Sequence, residues 1–267
     1  MNRRAFLSTV LGGSAVAAAT ACAYGDDTYD VEITRVPIHL GLQTPLRLAV
    51  LGDIHFDPLC DEDYLTHVVD LVNGLKPDLI AYTGDFVTMR LNRAQDLAKI
   101  LSRAQAPLGT YAAEGNHEFW TNTGYVMQTL DHHAGIRMLL DATVPLPNED
   151  NVYLTFLRTM TAGPLHPEVI DRTPPNARHL VFAHEPDSFP LLNDSRIRLQ
   201  ISGHTHGGQV RLPLFGAVWL PKWGRDYQQG LYAADNGRQL YVNRGIGTLT
   251  VHHRINCRPE ITVFELS

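Results

Sequence analysis

Gly203-His204-Thr205-His206-Gly207-Gly208-Gln209 places two imidazoles two residues apart among three glycines, directly after an apolar run over 197–201. In a regular strand these side chains would share one face, but a tight glycine-rich turn can also aim both at one point. A solvated turn that happens to hold histidines explains a lone His-x-His equally well. Here four more clusters of metal-binding residue types precede it. The apolar run 46–51 leads into Gly52-Asp53-Ile54-His55, and 79–83 leads into Gly84-Asp85. Residues 111–113 lead into Gly115-Asn116-His117-Glu118, and 180–183 deliver His184. Carboxylates, imidazoles and an amide at successive apolar-run ends, all but His184 beside glycine, are the pattern of a site built at the edge of an α/β sheet.

The elements that must carry these ends follow from periodicity. Residues 29–34 alternate polar and apolar as a half-buried edge strand, and 46–51 reads as a central strand. A helix runs from 61 to about 75, with Leu65, Val68, Val69 and Val72 on one face and Asp61, Glu62 and Asp63 in its first turn. The strand 79–83 follows, then a helix near 92–103, a strand at 109–114 and a helix at about 121–133. Strands and helices alternating at this rhythm predict a layered α/β domain. Six prolines break any pattern across 144–178, which reads as a surface excursion bordering the site. Beyond His206, 210–213, 230–233, 239–243 and 260–264 read as strands of a second sheet.

The chain has 267 residues, 44% of them hydrophobic, enough for one substantial domain. Its formal net charge is -6, which argues against a nonspecific nucleic-acid binder. Residues 1–23 carry Arg3 and Arg4 and no acid before a modestly apolar run over 7–19, the form of a twin-arginine export signal. That run is too short and too rich in glycine and serine for a membrane span. Export by that machinery would place the mature chain in the periplasm or cell envelope. Ala19-Thr20-Ala21-Cys22 is a degenerate lipoprotein signal, so processing can end in cleavage or in an anchor at Cys22. Cys60 and Cys257 lack the CxxC spacing of a zinc or redox site, and sequence leaves a disulfide between them open.

Asp53-x-His55, Gly84-Asp85, Gly115-Asn116-His117-Glu118, His184 and Gly203-His204-Thr205-His206 resemble, in order and approximate spacing, the five signature blocks of the calcineurin-like metallophosphoesterases. The match spans 46–267. Its later part, through Leu212-Pro213, Gly230-Leu231-Tyr232 and Arg258-Pro259-Glu260, looks like the exported bacterial branch of YkuE/YaeI type. The resemblance implies a sandwich of two mixed β-sheets flanked by helices, with a dinuclear metal site at strand ends. It implies a 46–267 domain preceded by an extended segment, 24–45, and the 1–23 signal. By matching position, Asp53, His55 and His206 would hold one ion, Asn116, His184 and His204 the second, and Asp85 would bridge them. His117 would be left to act on the substrate.

Two divalent ions about 3.5–4 Å apart can generate a hydroxide nucleophile and clamp a phosphate for in-line attack. Imidazoles, carboxylates and an amide without thiolate suit Mn, Fe, Zn or Co better than Ca. His117, as an imidazole, can protonate a leaving oxygen, or it can serve as a donor to Asp85 or Asn116. Thr88 stands where purple acid phosphatases place tyrosine, so their charge-transfer iron site is not expected. Trp120, and the patch of Trp219, Lys222, Trp223 and Arg225, could grip a lipid or glycan phosphate or simply pack. Within these, Trp120, Lys222 and Arg225 are the candidate substrate contacts. Localisation and resemblance together lead to an envelope or phospholipid phosphodiesterase whose substrate is a phosphate ester of a lipid or cell-wall polymer. The alternatives are an extracytoplasmic phosphomonoesterase and a non-catalytic, metal-stabilised envelope-binding protein.

Overall fold

A computed structural model describes residues 25–57 and 60–267. The export signal, its cleavage region and Cys22 lie outside the described residues. Among the described residues no helix is long and apolar enough to cross a membrane.

In the first half of the chain the strands are β1 (Glu32–Ile38), β2 (Leu46–Leu51), β3 (Leu79–Tyr82), β4 (Thr110–Ala112) and β5 (Ile136–Met138), interleaved with four helices. These are α1 (Glu62–Leu75), α2 (Ala94–Leu101), α3 (Asn116–Thr121) and α4 (Thr123–Ala134). Then come β6 (Ala142–Pro145), β7 (Val152–Phe156), β8 (Arg178–Phe182), β9 (Ile197–Ser202), β10 (Arg211–Leu212), β11 (Gly216–Ala217), β12 (Gly230–Ala233), β13 (Gln239–Val242) and β14 (Glu260–Leu266). One six-stranded mixed sheet runs β1-β14-β2-β3-β4-β5, and a second runs β12-β13-β9-β8-β7-β6. β10 and β11 form a separate two-stranded hairpin.

The two sheets pack face to face, as expected of the resemblance. Along β2, Leu48 and Val50 point into the layer between the sheets and meet Phe156, Phe182, Leu199 and Ile201. Their neighbours Ala49 and Leu51 point to the opposite face, where α1, α2 and α4 cover the sheet. The period-2 alternation of a strand buried on both sides produces this division. α1 begins where the Asp61 side chain accepts from Asp63 N at 2.8 Å, and it ends at Lys76, which adopts a left-handed φ of 51°. The outer face of the second sheet is covered by Val169, Ile170 and Leu192, which lie in and beside short 3-10 turns rather than in α-helices.

Four expectations change. The strand foreseen at 210–213 does not join the second sheet: β10 pairs with β11 in a hairpin of its own. Residues 144–178 are not only a surface excursion, because β6 and β7 occupy part of them and Val152, Leu154 and Phe156 are fully buried. Pro145 sits at the end of an edge strand and Pro167 opens a 3-10 turn, so these prolines mark boundaries rather than dissolve the sheet. The last strand belongs to the first sheet: β14 lies between β1 and β2, parallel to β1 and antiparallel to β2. The edge strand foreseen at 29–34 is displaced to Glu32–Ile38, where its register with β14 fixes it. Cys60 and Cys257 are both free thiols.

Candidate metal centre

β2, β3 and β4 run parallel, as do β7, β8, β9 and β13, so the carboxyl ends of each set open at one edge of its sheet. Immediately beyond these ends the chain turns through the left-handed region at Asp53 (φ 50°), His55 (48°), Asp85 (54°), His204 (71°) and His206 (51°). None of these is glycine, and each such turn costs on the order of 1–2 kcal/mol. The site residues themselves take the bends, and several neighbouring glycines serve close approach instead. A Cβ on Gly115 would lie 2.2 Å from Asp85 Oδ1, and one on Gly203 would lie 2.3 Å from Asp53 Oδ2.

All eight residues singled out from the five motifs converge. Asp53, His55 and His206 present ligand atoms within 4.8 Å of one another, as do Asp85, His184 and His204, and also His55, Asp85 and His117. Asp85 lies between the first two groups, with Oδ2 at 3.2 Å from His184 Nε2 and 3.6 Å from His55 Nε2. Asn116 Oδ1 is 3.2 Å from His184 Nε2, and His204 Nδ1 is also 3.2 Å from that nitrogen. Seven of the eight are buried, and His204 is half-buried.

Three imidazoles are oriented by backbone carbonyls. His184 donates through Nδ1 to Thr83 O at 2.7 Å, His204 through Nε2 to Lys222 O at 2.8 Å, and His117 through Nδ1 to Thr88 O. Each bond commits one ring nitrogen as a donor to its carbonyl and leaves the other facing the site, with a lone pair when the ring is neutral and a proton when it is charged. The His117 ring bonds Thr88, while its backbone N–H donates to Asp85 Oδ1 at 2.9 Å. The contact to Asp85 considered from sequence is therefore made by the main chain.

This donor set fits divalent cations. His55 Nε2 and His206 Nε2 stand 3.0 Å apart, the separation expected of two nitrogens each about 2.1 Å from one shared ion. Asp53 Oδ2 is buried without a hydrogen-bond partner, a costly state for a carboxylate that a cation would relieve. Among the protein's own groups, burial pushes His55 down to about 3 and His206 well below its ordinary range. Burial also pushes Asp53 up to about 7, with the Asp85 charge adding to it and the His184 imidazolium opposing. For Asp85 burial works in the same direction, but His184, His117 and His55 outweigh it and hold the carboxyl well below its usual range.

Two residues that sequence reasoning left without a role build the frame. Glu118 is fully buried; Oε2 accepts from Asp85 N at 2.8 Å and Gly115 N at 3.0 Å, and Oε1 from Phe86 N at 2.8 Å and Val87 N at 3.3 Å. It ties the end of β3 to the start of α3. Its place in the Gly-Asn-His-Glu block is the only signal the sequence offers. Arg254 is also fully buried, donating to Gly247 O and Arg244 O at 2.7 Å each and to His206 O at 3.4 Å. It holds the 244–247 turn against the His206 segment, and no motif announces it.

The three candidate substrate contacts lie outside the buried cluster. The Trp120 ring centroid is 4.9 Å from that of His117, and Lys222 Nζ lies over the Trp223 ring at 3.8 Å. The backbone N–H of Arg225 donates to Asp187 Oδ2 at 3.1 Å. All three are exposed.

A family model described as Calcineurin-like phosphoesterase matches residues 46–208. The chain is 30% identical over 280 residues to the uncharacterized metallophosphoesterase YkuE of Bacillus subtilis, covering 100% of this chain and 98% of that protein. It is 34% identical over 227 residues to the phosphodiesterase YaeI of Escherichia coli, covering 83% and 82% respectively. An uncharacterized metallophosphoesterase of Campylobacter jejuni is 27% identical over 240 residues, covering 88% of this chain and 63% of that one.

Proposed function

The chain belongs to the calcineurin-like metallophosphoesterases, metal-dependent hydrolases of phosphoric esters, and from that premise we propose that it cleaves phosphodiesters of the cell envelope outside the cytoplasm. In this reading Asp53, His55 and His206 would hold one divalent ion and Asn116, His184 and His204 a second, with Asp85 placed to contribute to both. Mn, Fe, Zn and Co suit these donors. When bound, such ions lower the pKa of water and offset charge on phosphoryl oxygens.

The protein's own groups do the rest. Thr83, Thr88 and Lys222 carbonyls fix which ring nitrogens of His184, His117 and His204 are available. His117 protonates the departing oxygen, its ring held by Thr88 and its backbone by Asp85. Trp120, Lys222 and Arg225 flank the approach, where an aromatic face and two cations suit a phosphodiester with apolar substituents.

The observation that carries the reading is the convergence of seven buried or half-buried polar residues around Asp85, with three imidazoles held by carbonyls. Preference for diesters is supported by the likeness to the phosphodiesterase YaeI. Arg3-Arg4 before an apolar run supports twin-arginine export, and Cys22 offers an anchoring point. The test is hydrolysis of a chromogenic phosphodiester beside the matching monoester by residues 24–267, stripped of metal and reloaded with Mn. Metal-dependent turnover favouring the diester is expected. Faster monoester turnover would replace the reading with a scavenging phosphatase. Two bound metals without turnover of either would replace it with a binding protein.

A further inference from the structure

The most exposed large apolar side chains among the described residues form a cluster beside the site. Leu214 (103% exposed), Phe215 (86%) and Trp219 (64%) stand on and just after the β10–β11 hairpin, and Val218 is exposed between them. A soluble surface rarely concentrates apolar groups in this way without a use. The hairpin is too short to fold around a core of its own, so these side chains contribute little to packing.

Its base is fixed to the metal centre. A Cβ on Gly208 would lie 2.3 Å from the Cβ of Ala217, and Val218 N donates to Val210 O at 3.0 Å. Arg211 Nη1 donates to Gly207 O at 2.7 Å, one residue beyond His206. The chain leaving the hairpin supplies Lys222 O, which accepts from His204. On the other side of the cluster Met89 and Trp120 are exposed beside the Thr88 and His117 pair. Apolar groups therefore flank the mouth on both its His204 and its His117 sides.

Charge identifies the occupant. From Gly203 through Arg225 the chain carries Arg211, Lys222 and Arg225 and no acidic residue, although the protein as a whole is at -6. Apolar tips that enter acyl chains, tryptophans at headgroup depth and cations against phosphates are the ingredients of interfacial membrane binding. We propose that the 210–223 hairpin inserts its Leu214-Phe215 tip into an anionic phospholipid surface and so presents the metal centre to the headgroup layer. This deepens the envelope-phosphodiester reading and rests on it.

The test uses the full, metal-loaded chain and two separate readouts. Quenching of tryptophan fluorescence by vesicles of brominated phosphatidylglycerol reports insertion, and turnover of a soluble chromogenic diester without lipid reports the chemistry. Wild-type fluorescence is quenched, and the quenching is reduced in Trp219→Phe. The double variant Leu214→Glu, Phe215→Glu binds on the order of 100-fold more weakly, given the apolar area removed and the charges added. Its soluble turnover is unchanged. Equal quenching of the double variant and the wild type, or none in the wild type, overturns the proposal. So does a wild-type dimer that the double variant dissolves in the absence of lipid, since that would make the hairpin a contact between two copies. Failure of soluble diester turnover would instead count against the phosphodiesterase reading, leaving the quenching result to decide the hairpin.

Discussion

At the scale of single residues, the centre is defined as much by what holds its side chains as by the side chains themselves. His117 is the clearest case, because its ring bonds Thr88 O while its backbone bonds Asp85, so its position does not depend on a metal. His117→Ala should lower kcat by about 10²–10⁴-fold, the range for removing a general acid, while the protein keeps its full complement of metal. Metal analysis beside turnover decides this, and loss of an ion together with activity would make His117 a ligand. Glu118 poses a different test. Burial, with the Asp85 charge adding, pushes its carboxyl up to about 7, and the backbone N–H groups it accepts oppose that shift. Glu118→Gln turns an amide NH₂ toward N–H donors, so it should cost about 3 kcal/mol or more of stability and weaken metal binding. A urea-unfolding midpoint indistinguishable from wild type would show that the four hydrogen bonds contribute little.

At the scale of elements, strand ends are brought together by close backbone approach. Gly115 precedes α3 at a φ of -97°, an ordinary value, yet a Cβ there would lie 2.4 Å from Asp85 N and 2.2 Å from Asp85 Oδ1. Gly115→Ala must therefore push the end of β3 from the start of α3, and metal affinity should fall more than about 10-fold, as when the partners that orient ligands are lost. Gly74, exposed in the last turn of α1, has nothing within 4 Å of a built Cβ, and Gly74→Ala should stabilise by about 0.5–1 kcal/mol. A higher melting temperature for Gly74→Ala in calorimetry and weaker binding for Gly115→Ala in metal titration are the expected results. If Gly115→Ala bound metal normally, the close approach would have no functional consequence. The same contrast shows what the sequence reveals. Long periodic elements such as α1, and apolar runs such as β2 and β3, were legible because side-chain spacing encodes them. α3 was not, because six residues give no period and its function lies in delivering Asn116, His117 and Glu118 from one turn. β14 reads as a strand, but its place between β1 and β2 is a tertiary choice that its own pattern does not record. Glu118 and Arg254 escaped because their partners are backbone atoms, which every residue carries.

At the scale of the whole molecule, helices and loops packed on the sheets limit the access of water to groups that ionise only at high pH. Burial, with Asp57 adding, pushes the Cys60 thiol up from 9.0 to about 12. Burial also raises the phenols of Tyr64, Tyr82 and Tyr241, with Glu260 adding at Tyr241. Tyr64 donates to Ile246 O at 2.9 Å and Tyr241 to Glu260 Oε1 at 2.6 Å, bonds that need the phenolic proton. In each case the folded state holds its proton to a higher pH than the unfolded chain does. The stability these groups contribute is therefore complete below about pH 8.5, where the unfolded thiol is still protonated, and is lost as pH rises toward 12. Each group ionised only in the unfolded state withdraws about 1.4 kcal/mol per pH unit over that window. Urea-unfolding midpoints should be flat from pH 7 to 8.5 and fall progressively through pH 9.5 and 11. Cys60→Ser removes the thiol from the balance and should flatten the first part of the fall, while leaving the steeper phenol-driven part above pH 10. The folded wild type should also react with iodoacetamide at pH 8 much more slowly at Cys60 than an exposed cysteine would, since little thiolate is present. Constant midpoints from pH 8 to 11, or rapid alkylation at Cys60, would mean that water reaches these groups and that the packing between sheet and helices is looser than the structure shows.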